Sequence, residues 1–268
     1  MTASQSAHLF RSKAPLATFL AANPFPNPLT LGFFYREKMR AIHRIAPNLA
    51  FERVLEVGGG ESGLTSLLYP SAKIVNLDID DRAARSSQNQ QSNVSFIQGD
   101  ATEMAFADSI FDAVTLFDVL EHIPDDRRVA KEVLRVVRPG GWIIVSVPTK
   151  EWRFPRYRAF RPICPAEKEL TSVWGHVRRG YDLGELEELF RMPALASGSF
   201  INCITVIAHD ISFSFLPRAI RIALHILLAP LTWTAYWLHG SETKGSQIVA
   251  VWQRKVETDL PLSSTAPS

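Results

Sequence analysis

The chemistry-bearing residues of this 268-residue chain gather around one glycine turn. Gly58-Gly59-Gly60-Glu61-Ser62-Gly63 follows a short apolar run, Val54 to Val57, and precedes a helical pattern from Leu64 to Tyr69. A strand that enters a helix through glycines lets a ligand approach the backbone, because no Cβ stands in the way. Gly58, Gly60 and Gly63 fit the GxGxxG spacing, and two acids sharpen the signal. Asp78 ends the next apolar run about 20 residues after Gly58, where a carboxylate can accept both ribose hydroxyls of an adenosine. Glu56 sits just ahead of the turn. A carboxylate there is awkward for a pyrophosphate, which brings like charge. It suits a cofactor with an ammonium or sulfonium group, or it can hold the amides of the turn. The turn therefore argues for a cationic adenosyl cofactor and against a dinucleotide.

Two histidines are candidates for proton transfer. His122, in Glu121-His122, and His176, in Trp174-Gly175-His176-Val177-Arg178, suit a general base for a hydroxyl acceptor. Each reads equally as scaffold. No triad is visible, and Cys164 and Cys203 are too few for a disulfide framework and lack CxxC spacing, so no metal site is expected. A reducing compartment fits. The balance of 29 Lys and Arg against 27 Asp and Glu, +2, is too near neutral to argue for nucleic acid.

These residues need elements to position them. Thr30 to Ile45 reads as a helix with Phe33, Phe34, Met39, Ile42 and Ile45 on one broad face. Strands are expected at Val54 to Val57, Ile74 to Leu77, Val94 to Gln98, Phe111 to Leu116 and Trp142 to Val147. A helix from about Asp125 to Val137 fits between the last two, with Pro139-Gly140-Gly141 as its terminator. Apolar strands alternating with amphipathic helices imply a doubly wound, mostly parallel α/β sheet. Asp182 and Glu185 read as a capping box for a helix carrying Leu186, Leu189 and Phe190. Leu195 to Ile201 and Gln247 to Trp252 read as late strands.

Val54 to Gly63, Asp78, Gly99-Asp100-Ala101, Phe111-Asp112-Ala113-Val114, Phe117-Asp118-Val119-Leu120-Glu121-His122-Ile123 and Arg138-Pro139-Gly140-Gly141 stand in order along the chain. Together they resemble the motifs of class I S-adenosylmethionine-dependent methyltransferases, over roughly residues 35–147. The resemblance implies a seven-stranded Rossmann-like sheet closing in an antiparallel pair, and S-adenosyl-L-methionine as cofactor. It also implies roles: Glu56, Gly58 and Gly60 at the methionine end, Asp78 on the ribose, and Ile79 against the adenine. Asp100 would accept from the adenine amine, the Ala101 N–H would donate to the ring, and Phe117 and Asp118 would border the methyl group. Ser62 departs from the family's alternating glycines, and it is read either as a donor to the cofactor carboxylate or as a helix cap.

The expected layout is a loosely ordered segment over 1–29, a methyltransferase domain over 30–256 and a flexible tail over 257–268. The cofactor core spans about 50–148 and the acceptor-side elements about 149–245. The latter include a C-terminal apolar helical insertion rich in Leu, Ile and Trp. Three readings of 219–239 stay open: a lid on the acceptor, a membrane-surface helix with contact through 213–239, or a span, which Pro230 and His225 oppose. The acceptor is expected to be a small molecule, lipid-linked or glycan. Nucleic acid is disfavoured, although Trp152 to Arg161 interleaves aromatic and basic residues. Met1 to Ala14 lacks the pattern of a secretory signal, which points to a cytoplasmic protein, peripheral to the membrane if the second reading holds. The competing functions are an NAD(P)-dependent oxidoreductase and a non-catalytic partner subunit.

Overall fold

The structure is a computed structural model that describes residues 13–25, 27, 31–240 and 242–256. Its strands are β1 (Arg53–Val57), β2 (Lys73–Asp78), β3 (Val94–Gln98), β4 (Phe111–Phe117), β5 (Val137–Pro148), β6 (Ala196–Phe200) and β7 (Gln247–Gln253). They form one seven-stranded sheet in the order β3-β2-β1-β4-β5-β7-β6. The pairs from β3 across to β5 are parallel, and β7 runs antiparallel between β5 and β6. This is the expected doubly wound sheet with its antiparallel end.

Side-chain alternation explains why the sheet is covered on both faces. Val54, Ala113 and Ile144 join one core cluster, while Leu55, Val57, Val114, Leu116, Ile143 and Val145 join another. Strands apolar on both faces need helices on both faces. Helices α1 (Leu16–Ala21), α2 (Leu31–Ile45) and α3 (Leu64–Leu68) cover the first face. The second face takes α4 (Asp126–Val136), which the Asp125 carboxylate caps by accepting from the Arg128 N–H at 3.0 Å. Helix α5 (Glu167–Trp174) belongs to a separate small cluster with Trp152 and Phe154. Helix α6 (Leu183–Phe190) packs beside α4, and Asp182 and Glu185 form the predicted capping box at its start. Between β6 and β7 the insertion folds into α7 (Val206–Ser212) and α8 (Arg218–Leu238).

Four expectations change. Within the segment read as loosely ordered, α1 buries Phe19 and Leu20, and Lys13 donates to the His43 and Ala46 carbonyls at 2.8 and 2.6 Å. Residues 1–12, Thr30 and the 257–268 tail lie outside the described residues. Helix α4 stops at Val136 before Pro139 is reached, so Pro139-Gly140-Gly141 do not terminate it. They lie inside β5, where Gly140 takes φ +75° next to a register shift between Phe111 and Ala113. Pro230 does not interrupt α8, which runs through it without a break. In the basic aromatic segment, Trp152 and Phe154 turn into the core while Arg153, Arg156, Arg158 and Arg161 face solvent. Base stacking on those two rings is thereby removed.

Candidate active site

The carboxyl ends of β1, β2 and β4 open into a cleft of about 880 Å³. Gly58, Asp78, Ile79, Asp100, Ala101, Asp118 and His122 all line it. Gly58 takes φ +63°, and a Cβ there would stand 2.6 Å from Val119 Cγ2, so glycine is required by its own neighbour as much as by any ligand. Gly60 takes φ +52° with open space on its flank, the nearest atom to an added Cβ being Asp78 Oδ2 at 3.9 Å. Asp78 organises the turn: Oδ2 accepts from the Gly60 N–H at 2.8 Å and Oδ1 from the Asp80 N–H at 2.9 Å. The Asn76 and Asn89 side-chain amides both donate to the Gly60 carbonyl, at 3.1 and 2.8 Å.

Glu56, Ser62 and Phe117 stand back from the cleft, while Asp100 and Ile79 form part of its wall. Glu56 is buried on the α3 side, where its carboxylate accepts from the Thr65 N–H at 3.2 Å. Burial pushes its pKa up, and Thr65 and Lys38 pull against that. The amide it holds belongs to α3 and not to the Gly58–Gly63 turn. Ser62 donates its hydroxyl to the Gly59 carbonyl at 3.1 Å, and α3 has no side-chain cap, so Ser62 is not a helix cap. Phe117 is buried in the first core cluster. Asp100 accepts from the Thr102 N–H at 2.7 Å, and this bond, with a second from the Thr102 side chain, holds its pKa down. Ile79 stays 72% exposed, an apolar platform at the cleft wall.

Asp118 stands at the junction. It takes a left-handed φ of +56°, its Oδ1 accepts from the Ser146 hydroxyl at 2.8 Å, and its Oδ2 pairs with Lys38 Nζ at 2.8 Å. Lys38 is buried on α2, 5.2 Å from the Tyr35 ring and 5.9 Å from the Phe117 ring. Burial lowers its pKa, but the Asp118 and Tyr35 charges outweigh burial and hold it above the usual lysine value. Neither Lys38 nor Tyr35 is predicted from the sequence. The available signal is a lysine inside an apolar stripe, four positions from both Phe34 and Ile42. Asn76 and Asn89 give no comparable signal.

Next to the cleft lies a second pocket of about 310 Å³, whose lining includes Phe34, Trp152, His176, His209 and Phe213. It shares Asp118, His122 and Trp174 with the cleft. The predicted histidines come together here, with ring centroids 4.7 Å apart and planes at 89°. Burial, with His122 beside it, pushes His176 down to about 4, away from the near-neutral range of an efficient base. Helix α8 lines neither space, while α7 supplies His209, and Phe213 follows directly at its C-cap. The lid reading of 219–239 therefore gives way to a role for α7.

Residues 55–145 match the protein family described as methyltransferase domain. Over that stretch the chain is similar to the class I S-adenosylmethionine-dependent methyltransferases. It is 34% identical over 114 residues to the demethylmenaquinone methyltransferase of Renibacterium salmoninarum, covering 42% of this chain and 46% of that one. It is 32% identical over 138 residues to the phthiotriol/phenolphthiotriol dimycocerosates methyltransferase of Mycobacterium leprae, covering 49% and 48%. The chain thus spans about half the length of the curated relatives it matches. The N-methyltransferase NodS of Bradyrhizobium japonicum, solved with S-adenosyl-L-homocysteine, shares the fold at TM-score 0.53 and 16% identity, over 89% of this chain and 96% of that one. S-adenosylmethionine is the cofactor of this methyltransferase class, and the cleft fits it. The exposed Ile79 and the acids Asp78 and Asp100 offer an apolar face and acceptors for hydroxyl and amine donors, while Gly60 borders an adjoining pocket that shares Asp78 and Asp80. The match speaks against a dinucleotide-dependent oxidoreductase.

Proposed function

We propose that this protein transfers a methyl group from S-adenosylmethionine to a small-molecule acceptor seated in the pocket of Trp152, Trp174 and Phe213. The observation that carries the reading is the shared wall: Asp118, His122 and Trp174 border both spaces, so a methyl group in one can face an acceptor in the other. When bound, the cofactor supplies a methyl group on a sulfonium that is already activated as a leaving group. The protein's task is then to orient and to exclude water. Asp78 would hold the ribose hydroxyls, Ile79 would pack on the adenine, the Ala101 N–H would donate to its ring and Asp100 would accept from its amine. Gly58 and Gly60 would pass the methionine portion, with Glu56 holding the start of α3 beneath it. Asp118, held by Ser146 and Lys38, places negative charge near the sulfonium without free rotation. Phe117 would support this end from beneath. His122 is the candidate to take an acceptor proton, and His176 stands behind it.

The finer proposal is an acceptor carried in or near a membrane, lipid-linked or a glycan, handled from the cytoplasmic side. One helix, α8, is long and apolar enough to cross a membrane. Its Ile226, Leu227, Trp237 and Leu238 are exposed, whereas His225, Thr232 and Tyr236 pack inward. An apolar face backed by the rest of the fold supports lying on a membrane surface better than spanning it. The relatives above carry small molecules, demethylmenaquinone and the dimycocerosates, in their names. The test is incubation with methyl-labelled cofactor and fractionated cell extract, in the presence and absence of anionic vesicles. Label in the lipid fraction, raised by vesicles, is the expected result. Cofactor binding with no transfer to any fraction would favour a non-catalytic partner subunit instead.

A further inference from the structure

Glu121 poses a question that methyl transfer does not answer. It is 1% exposed, one carboxylate oxygen finds no hydrogen-bond donor, and its pKa is raised by burial and by Asp118. The nearest cations are committed elsewhere: Lys38 to Asp118, and Arg178 to Asp126 and the Ile123 and Pro124 carbonyls. A buried carboxyl in this state lacks what normally makes burial tolerable. Beside it, His122 Nε2 lies 4.0 Å from Glu121 Oε1, and His176 Nδ1 is buried with no partner. One donor atom from each of the three lies within 4.8 Å of the others.

We propose that Glu121, His122 and His176 bind one divalent transition-metal ion of the zinc type at the floor of the acceptor pocket. Two imidazoles and a carboxylate with open positions are the donor set of catalytic zinc sites. Bond lengths of about 2.0–2.2 Å place such ligands roughly 3.3 Å apart, so the donors must close by about 1–1.5 Å, within reach of side-chain rotation. The backbone is already braced for this. The Val177 N–H donates to the Glu121 carbonyl at 2.9 Å, the His176 N–H to Thr171 at 2.9 Å, and the Tyr181 hydroxyl to the Leu120 carbonyl at 3.0 Å. These bonds tie the Leu120–His122 turn to the segment after α5, so two distant stretches of chain meet with their ligands facing each other.

The ion's role rests on the methyltransferase reading and deepens it: the acceptor atom is an oxygen. A hydroxyl that coordinates the ion loses its proton more readily, and with His122 bound to the ion that proton goes to solvent instead of to the imidazole. Its oxygen lone pair then forms the new bond to the methyl carbon, the carbon–sulfur bond breaks, and the electron pair stays on sulfur. The products are a methyl ether, S-adenosylhomocysteine and one proton. The open positions face a pocket lined by Phe34, Trp152, Trp174 and Phe213, which fits an aromatic or allylic hydroxyl compound.

The test titrates the full-length, metal-stripped protein with Zn2+ by calorimetry and with Co2+ by visible absorption. One equivalent of Zn2+ and a ligand-field spectrum from bound Co2+ are expected. Glu121→Gln, His122→Asn and His176→Ala should each weaken Zn2+ more than 10-fold and abolish the cobalt spectrum, while Glu121→Gln and His176→Ala, which line the acceptor pocket and not the cofactor cleft, bind S-adenosylmethionine as the wild type does. Absence of Zn2+ binding, or Zn2+ affinity unchanged in His122→Asn and His176→Ala, overturns the site. His176→Ala and His122→Asn alter half-buried positions and keep the test meaningful if Glu121→Gln fails to fold. S-adenosylmethionine binding is read separately, so its loss in the wild type would count against the methyltransferase reading and not against the metal site.

Discussion

Replacing Lys38 by methionine removes the buried cation from Asp118 while keeping the stem volume. At 2.8 Å, an effective dielectric of about 20 gives a Coulomb attraction of roughly 6 kcal/mol, much of it offset by the desolvation of both groups. Removing one partner of a buried pair costs about 3–5 kcal/mol, because the other is left uncompensated. Asp118 keeps 27% side-chain exposure and a bond from Ser146, which places the loss near the lower end, about 3 kcal/mol. For a chain of this size that corresponds to roughly 6–12 °C in Tm. Urea denaturation of wild type, Lys38→Met, Asp118→Asn and the double variant measures the coupling directly. Asparagine tolerates the left-handed backbone at 118, so the second substitution removes the charge without adding strain. Lys38→Met should cost about 1 kcal/mol or less in the Asp118→Asn background. If it costs the same in both backgrounds, within about 0.5 kcal/mol, the pair is not what fixes Lys38 and the argument fails.

Burial pushes Glu37 up to about 8, so between its ordinary value near 4.5 and 8 the folded state holds a proton that the unfolded state has lost. Stability contributed by this group therefore falls as pH rises through that window, by at most about 5 kcal/mol, and Glu37→Gln should flatten the slope of Tm against pH. Gly58→Ala forces a Cβ against Val119 at a positive φ; a loss of about 2–4 kcal/mol in urea is expected, partly restored by adding Val119→Ala. No restoration would mean that φ alone sets the cost. Asp78→Ala should weaken S-adenosylmethionine at least roughly 10-fold by calorimetry, since charge-assisted bonds contribute about 1.5–3 kcal/mol each. Asp78→Asn, which keeps one acceptor for the Gly60 and Asp80 amides, should lose less; equal affinity in all three would remove Asp78 from the ribose.

The sheet was legible because its strands are continuous apolar runs ended by glycine and acid, and the alternation with helices left one topology class. The boundaries that moved did so for backbone reasons. Proline at 139 lies beyond a helix that had already ended at Val136, and Pro230 sits in a helix whose backbone continues through it. The cleft residues were legible at Gly58, Asp78, Ile79, Asp100 and Ala101, where local spacing fixes position at a strand end. Glu56 and Ser62 were legible as residues of the turn but not in their partners, which depend on side-chain direction. Lys38, Trp174 and Phe213 reach the site only through long-range packing, and the grouping of Glu121 with His176 needs a hydrogen-bonded junction between stretches more than fifty positions apart. Periodicity carries no information on such meetings.

The stretch matched by the methyltransferase family ends at residue 145, yet the pocket proposed for the acceptor takes Phe34 from before it and Trp152, Trp174, His176, His209 and Phe213 from after it. Catalytic engine and substrate gauge are therefore written in different parts of one chain. Two proteins can agree closely across the engine and still methylate unrelated compounds. Exchanging 149–245 between relatives, with 31–45 carried along, is the swap that should move substrate choice while the grip on the methyl donor stays put.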